Sequence, residues 1–280
     1  MLADAFDLGA EGAEEVEAGR AFRACVYATS VRIDFIHESL RKSVDADSAI
    51  GPIEAMPDVD WSEAWKQGLD AIIISERLLI RPPFVSAECG PGQREIVIDP
   101  GQAFGIGGHA STRLCLEWID ELVRPASGED DSQPYDRVLD VGTGSGVLAL
   151  AAIALGADRA FGFDLDGVAT RAAREAAVLN QYSARAHFFT GAIAALGPSV
   201  PKFPLDLANL LKQEMLPIAS EITRLVDRKG CLVLAGLLEE DVAAVKASFT
   251  PLGLTEVGRR ALRDETGEWI GLCLAFDGCA

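Results

Sequence analysis

The sequence has few of the residues from which metal sites and disulfide frameworks are built. Its three histidines, at positions 37, 109 and 187, are far apart, and its six cysteines include no Cys-x-x-Cys pair. No metal-ligand spacing joins them, and cysteines in apolar surroundings or near chain ends are typical of free thiols in a reducing compartment. We therefore expect no metal site and no disulfide, and we expect a cytoplasmic protein.

Long apolar runs and an excess of basic residues are also missing. The longest apolar stretch, residues 147–155, is too short to span a bilayer, and the acidic first nineteen residues do not resemble a secretory or transit signal. The net charge of −18 disfavours direct contact with nucleic-acid phosphates and favours a basic partner, unless the acidic excess serves solubility alone. We expect no membrane contact and no direct nucleic-acid contact.

A glycine-rich turn is the most informative segment that is present. The run from Val138 to Gly146 reads VLDVGTGSG, an apolar segment follows at helical spacing, and a second apolar run ends at Asp164. This order is that of half a nucleotide-binding βαβ unit: a strand, a glycine turn, a helix and a second strand that ends in an acidic residue. Gly142 and Gly144 would let the backbone approach a ligand, and Asp164 would accept hydrogen bonds from ribose hydroxyls.

The glycine spacing distinguishes between nucleotides. The dinucleotide pattern Gly-x-Gly-x-x-Gly fails because Val147 stands three residues after Gly144. The pattern Asp140-x-Gly142-x-Gly144-x-Gly146 instead resembles motif I of class I methyltransferases, which use S-adenosylmethionine and have this carboxylate near the methionine end of the cofactor. In the alternative interpretation, Asp140 is a helix-entry residue and Asp164 a turn former.

The order of elements indicates an α/β fold. Strands and helices alternate over 137–141, 145–156, 160–164, 167–180, 185–189, 205–211, 213–227 and 231–236, which favours a parallel sheet with helices on both faces. After a helix at 239–249, strands 254–262 and 268–276 flank a turn, so we expect a hairpin that brings in one antiparallel strand. We therefore expect a Rossmann-like sheet, mostly parallel with one antiparallel C-terminal strand, which resembles the sheet of the class I methyltransferases.

Three regions are expected along the chain. Over residues 1–57 we expect a small, apparently truncated α+β domain, because an alternating segment at 21–27 is followed by helical spacing at 32–44. Over residues 58–80 we expect a linker, made of a helix with Trp61 and Trp65 on one face and of a strand. Over residues 81–280 we expect the methyltransferase domain, in which Ser111 would cap a helix over 112–123.

Beside the glycine turn, three stretches resemble the ribosomal protein L11 methyltransferase (PrmA-like) family. They are Asp60-Trp61 with Trp65-Lys66 and the segment 77–82; the segment 99–112, close to the family's D-P-G-x-A-F-G-T-G-x-H-x-T-T; and Ala208-Asn-Leu-Leu211 with Gly236-Leu-Leu. The segment 99–112 is the most specific of the three. The chain departs from the family at Ile106, Ala110 and Ser111 and at Lys212-Gln-Glu214.

The resemblance implies that Thr112, Gly142, Asp164 and Asn209 contact S-adenosylmethionine or the reacting centre. It also implies that Phe104, in the loop leading to His109, closes over the cofactor, and that adenine contacts arise near Thr190 and Gly191. Asn209 is the expected catalytic residue, because its carbonyl oxygen would meet the acceptor amine. In the alternative interpretations, Asn209 caps a helix beginning near Lys212 and His109 only orders the loop.

We therefore expect an S-adenosylmethionine-dependent protein N-methyltransferase that acts on lysine or terminal amines, with ribosomal protein L11 as the first expected substrate. Two alternatives stay open. One is a small-molecule methyltransferase of the same fold, which the departures at 212–214 favour. The other is a cofactor-binding protein without catalysis, against which the presence of Asn209 argues.

Overall fold

The computed structural model describes residues 2–18, 21–43, 49–54, 69–100, 108–124, 135–265 and 267–278. The chain divides into two compact units, residues 1–67 and 68–280. The expected tryptophan-bearing helix near Trp61 lies outside the described residues. None of the described helices is long and apolar enough to cross a membrane.

The described residues of the first unit form an antiparallel hairpin and two helices. Helix α1 (Leu2–Asp7) precedes strands β1 (Gly12–Ala18) and β2 (Ala21–Tyr27), which pair with Gly12 opposite Tyr27. Helix α2 (Ile33–Ser43) packs Ile36 and Leu40 against Ala5. The strand and helix expected over residues 21–44 are both present, at 21–27 and 33–43.

The second unit is built on a seven-stranded sheet. Its strands are β6 (Arg137–Val141), β7 (Arg159–Asp164), β8 (Ala186–Thr190), β9 (Phe203–Asn209), β10 (Val226–Leu238), β11 (Leu254–Asp264) and β12 (Gly267–Phe276). The strand order is β11-β12-β10-β9-β6-β7-β8, and β12 is antiparallel to both of its neighbours. The mostly parallel sheet with one antiparallel C-terminal strand is confirmed.

Helices cover both faces of this sheet. On one face lie α3 (Ala110–Leu122), α4 (Val147–Leu155) and α5 (Gly167–Leu179). On the other lie α7 (Ala219–Leu225) and α8 (Val242–Phe249), with the short helix α6 (Lys212–Met215) before them. Successive residues of one strand enter opposite cores: Val138 packs with the first group of helices and Leu139 with the second.

Helix α4 is apolar on every side because it lies between two sheets. The main sheet covers one side of it. A three-stranded sheet covers the other side and consists of β3 (Ile72–Ile73), β4 (Leu78–Arg81) and β5 (Arg94–Val97), where β3–β4 is antiparallel and β4–β5 parallel. Strands β3 and β4, expected in a linker, thus belong to a sheet within the second unit.

The single helix predicted over residues 213–227 is wrong in its extent. Residues 216–218 form a 3₁₀ turn with Pro217 in it, the α-helix resumes at Ala219, and Leu225 ends it before β10 begins. Proline lacks the N–H group that a continuous helix needs, so the segment is divided at this point.

Candidate active site

A cleft of about 750 Å³ lies at the carboxyl ends of the parallel strands β6, β7 and β9. The glycine turn after β6, the tip of β7, the tip of β9 and the first turn of α3 all contribute to its lining. In open parallel sheets this edge is where ligands bind, because the loops that follow neighbouring strands diverge there. The cleft is therefore the candidate active site.

The glycine turn is held against the neighbouring strand by its backbone. The N–H groups of Gly142 and Thr143 both donate to the carbonyl oxygen of Phe163, at 3.0 and 2.9 Å. Gly142 has φ +71°, and a Cβ atom there would lie 2.5 Å from Cδ2 of Leu210. Only glycine fits this position, and both Gly142 and Gly144 line the cleft where helix α4 begins.

Asp164 has the turn-forming role that the alternative interpretation gave it, and it also lies at the cleft. Its Oδ2 accepts a hydrogen bond from the Gly144 N–H at 3.0 Å, and its Oδ1 accepts one from the Asp166 N–H at 3.0 Å. The carboxylate shapes the turn and also lines the cleft. Two backbone donors hold it still, and each oxygen keeps a lone pair for a ligand hydroxyl.

Asp140 lies behind the glycine turn and is not among the residues that line the cleft. It is 1% exposed, and its Oδ2 accepts a hydrogen bond from the Thr143 hydroxyl at 2.7 Å. Its Oδ1 has no hydrogen-bond partner among the described residues. Burial raises the pKa of Asp140 to about 7, and the Thr143 hydrogen bond opposes part of that rise.

Asn209 and Thr112 meet across the cleft wall. The side-chain amide of Asn209 at the end of β9 donates to Oγ1 of Thr112 at 3.2 Å. Asn209 does not cap the following helix, whose N-cap position is Leu211. With its amide nitrogen directed to Thr112, the carbonyl oxygen of Asn209 lies beside Gly236, where a Cβ atom would come within 3.2 Å of it.

The prediction that Ser111 caps helix α3 is wrong. The helix begins at Ala110, and His109 is its N-cap residue, because the imidazole Nδ1 accepts a hydrogen bond from the Ser111 N–H at 3.3 Å. The side chain that precedes the first turn, rather than one within it, satisfies a free N–H group of the helix. His109 thereby orders the start of α3, and its ring also lines the cleft.

Other expected contacts fall beside the cleft or outside the described residues. Phe104 and its loop, residues 101–107, are outside them. Thr190 and Gly191 do not line the cleft, but the next residues, Ala192 and Ile193, do. Sequence reasoning missed Asp166, Glu214, Gly236 and Trp269, all in the lining. Gly236, within an apolar run with φ +81°, carried the clearest signal of a close backbone approach.

The cleft has a negative electrostatic character. Asp164, Asp166 and Glu214 line it, and none of the described lining residues is lysine or arginine. Lys212, adjacent to the rim, forms an ion pair with Asp241, whose pKa is lowered chiefly by that hydrogen bond. Such a site attracts cationic ligands and disfavours phosphates.

The chain is similar in sequence to ribosomal protein L11 methyltransferases. The family model described as "Ribosomal protein L11 methyltransferase (PrmA)" matches residues 6–275. The ribosomal protein L11 methyltransferase of Trichlorobacter lovleyi is 36% identical over 78% of this chain and 68% of its own length. That of Geobacter metallireducens is 36% identical over 86% of this chain and 74% of its own length.

Solved structures agree with the sequence relatives. A ribosomal protein L11 methylase from Lactobacillus delbrueckii subsp. bulgaricus superposes with a TM-score of 0.62 at 27% identity, covering 74% of this chain and 98% of that one. The human methyltransferase 10 domain containing protein, 14% identical with a TM-score of 0.51 over 65% of this chain and 88% of that one, shares the fold. On this evidence the chain belongs to the ribosomal protein L11 methyltransferase family.

Proposed function

We propose that this protein transfers methyl groups from S-adenosylmethionine to lysine or terminal amines of a basic protein, and that the substrate is ribosomal protein L11. The observation that carries the proposal is the arrangement of Asn209. Its amide N–H is engaged by Thr112, so its carbonyl oxygen is available on a cleft that also holds the glycine turn and Asp164.

The cleft suits the cofactor in several respects. Gly142 and Gly144 leave room for close backbone approach, and Asp164 would accept hydrogen bonds from the ribose hydroxyls. Asp140, buried behind the glycine turn, would support the cofactor loop through its hydrogen bond with Thr143. Thr112, in the first turn of α3, would face its carboxylate, which the helix N-terminus favours.

When bound, S-adenosylmethionine supplies an electrophilic methyl group on a sulfonium centre. Asn209 would accept a hydrogen bond from a neutral amine and direct the nitrogen lone pair at that methyl group, which is an effect of orientation. A lysine must lose its proton before it can attack. Leu210, Ile218 and Trp269 add apolar walls to the cleft, and a site with little water lowers the cost of that loss by disfavouring the ammonium form.

The charge of the protein supports a basic substrate. The first unit, residues 1–67, contains fourteen acidic and six basic residues, and Glu14 on its strand β1 is exposed. An acidic surface accelerates the encounter with a lysine-rich protein at low ionic strength. Residues 1–57 would present the substrate, and a ribosomal substrate fits a cytoplasmic protein.

Incubation of the protein with radiolabelled S-adenosylmethionine and purified L11 tests the proposal, with mass spectrometry to locate the methyl groups. We expect label on lysine or terminal amines of L11. The Asn209→Ala variant should bind the cofactor with similar affinity, as judged by calorimetry, but transfer methyl groups poorly.

Each other outcome identifies an alternative. Transfer to a small amine but not to L11 would favour the small-molecule methyltransferase. Cofactor binding without transfer to any acceptor would favour a non-catalytic cofactor-binding protein. Unchanged turnover in Asn209→Ala would reject the role of Asn209 while leaving the activity itself in place.

A further inference from the structure

A carboxylate at the turn of the C-terminal hairpin accepts a hydrogen bond from the start of helix α3. Asp264, the last residue of β11, accepts a hydrogen bond from the Ala110 N–H through Oδ2 at 3.2 Å. Its Oδ1 accepts one from the indole Nε1 of Trp269, on β12, also at 3.2 Å. Asp264 therefore joins the first residue of α3 to a tryptophan that lines the cleft.

The same tryptophan contacts the N-cap residue of that helix. The rings of Trp269 and His109 have centroids 4.6 Å apart and an interplanar angle of 68°, an edge-to-face arrangement. His109 in turn accepts the Ser111 N–H. Among the described residues, the hairpin thus contacts residues 109–111 through the Asp264 carboxylate and through the Trp269 ring.

Thr112, the hydrogen-bond partner of Asn209, directly follows residues 109–111. Thr112 is the third residue of α3, so its position follows that of Ala110 through the rigid helical turn. It fixes the Asn209 amide by accepting its N–H at 3.2 Å. A shift of the first turn would release that amide, and its carbonyl oxygen would lose its place beside Gly236.

We propose that Asp264 is a positioning residue of the methyl-transfer site, acting through the first turn of α3 and Thr112 on the Asn209 amide, with Trp269 as its second contact. This inference rests on the proposed function, since it assigns Asp264 to the same reaction. Asp264 pairs with Gly267 at the turn end of the hairpin and is half-buried, so it contributes little to the two hydrophobic cores.

The first measurement is kinetic. Asp264→Ala should lower kcat about ten-fold or more, because misplacement of an orienting group costs rate, while the Kd for S-adenosylmethionine rises by a smaller factor, because Thr112 would also face the cofactor carboxylate. Arg263→Ala is the matched control, one residue earlier on β11 with a side chain that is 75% exposed. In an Asn209→Ala background, Asp264→Ala should cause no further loss, because residues that act through one group are not additive.

The second measurement does not depend on activity. The chain has two asparagines, Asn180 and Asn209, so selective ¹⁵N labelling of the asparagine side-chain amides yields two pairs of NH2 cross-peaks in the NMR spectrum. Asp264→Ala should shift or broaden the Asn209 signal. It should leave that of Asn180, which donates to the Val97 and Ala176 carbonyl oxygens, unchanged as an internal reference.

Three outcomes would overturn the inference. Asp264→Ala could retain the wild-type kcat, it could lower kcat equally in the wild-type and Asn209→Ala backgrounds, or it could leave the Asn209 signal unaltered. Failure of the proposed function can be distinguished from these outcomes, because the wild-type protein itself would then transfer no methyl group. The NMR comparison would still test whether Asp264 positions the Asn209 amide. Should Asp264→Ala fail to fold, Trp269→Phe keeps an aromatic ring but removes the indole donor, and it should shift the same Asn209 signal.

Discussion

The side-chain amide of Asn209 donates a hydrogen bond to the Thr112 hydroxyl oxygen at 3.2 Å, joining the tip of strand β9 to the first turn of helix α3. This contact determines which end of the amide is free. Under the proposed function, the carbonyl oxygen at the other end of the amide is what an incoming amine would meet.

Removal of the Thr112 hydroxyl should impair turnover. Thr112→Val keeps the shape of the side chain but cannot accept the Asn209 N–H, so we expect kcat to fall about ten-fold as the amide loses its orientation. Thr112→Ser retains the hydroxyl and should keep most of the activity. Steady-state assays with labelled S-adenosylmethionine compare the two, and equal rates for Val and Ser would show that the contact has no role in turnover.

Loss of the Asp164 carboxylate should weaken cofactor binding. Asp164→Ala removes the expected acceptor of the ribose hydroxyls and the anchor of the Gly144 N–H, and hydrogen bonds to charged groups contribute about 1.5–3 kcal/mol each. We expect the Kd in calorimetry to rise at least ten-fold. Asp158→Ala, an exposed carboxylate just before the other end of β7, is the control. A similar Kd for both variants would contradict the assignment.

Substitution of Gly142 should destabilise the fold as well as the site. Alanine there would have a left-handed φ, which costs about 1–2 kcal/mol, and its Cβ would clash with Leu210. Gly142→Ala should therefore lower Tm and weaken cofactor binding. Gly197→Ala is the matched control, because a methyl group added there would meet no atom within 4 Å and the φ of Gly197 is unstrained. The prediction fails if the two variants melt at the same temperature.

The buried Asp140 should make stability depend on pH. Its pKa is raised to about 7, whereas an aspartate in the unfolded chain titrates near pH 4. Between these values the native protein binds more protons, so the free energy of unfolding falls as pH rises and levels off above pH 7.

Asp140→Asn removes that titration. Urea unfolding at about pH 5 and pH 8 should show a smaller pH difference for this variant than for wild type. Asp158→Asn, on an exposed carboxylate, should retain the wild-type difference. A difference that is equal in all three proteins would mean that Asp140 ionises normally in the folded state.

Asp206 should be a site where an apolar residue stabilises the protein. It lies in the centre of the sheet on β9 and is 0% exposed, and neither carboxylate oxygen has a hydrogen-bond partner among the described residues. Burial raises its pKa well above the usual range. Asp206→Val should raise the free energy of unfolding at pH 8 by about 1–3 kcal/mol, the cost of an unsatisfied buried polar group.

Asp206→Asn serves as the comparison for Asp206→Val. It removes the charge but keeps a polar group in the same place, so it should stabilise less. If Asp206→Val unfolds at a lower urea concentration than wild type, the carboxylate has a partner that offsets its burial, such as an enclosed water molecule.

Much of the architecture could be predicted because its signals are local. The alternation of strands and helices from residue 137 to residue 276, including the final hairpin, follows from apolar periodicity and turn residues that are near one another in the chain. The glycine turn is equally local: Asp140, Gly142 and Gly144 lie within five residues, and their spacing alone separates this site from a dinucleotide site.

Helix boundaries were less predictable where a distant group or a proline decided them. Serine is the usual N-cap residue, yet His109 caps α3 because its ring is placed there beside Trp269, which is far away in the sequence. The helix predicted over 213–227 is divided at Pro217, which the apolar pattern did not reveal. The apolar helix α4 was predicted, but not the second sheet that covers it.

The sequence by itself determined the sheet, the glycine turn and the acidic tip at Asp164, since each depends on residues that are neighbours along the chain. Only the tertiary structure decided what surrounds Asn209. Thr112 is 97 residues away from it, and Asp264 is 154 residues away from Ala110. Hydrogen bonds between such distant side chains leave no periodicity in a sequence, because they exist only after helix α3 and the C-terminal hairpin have packed at the same edge of the sheet.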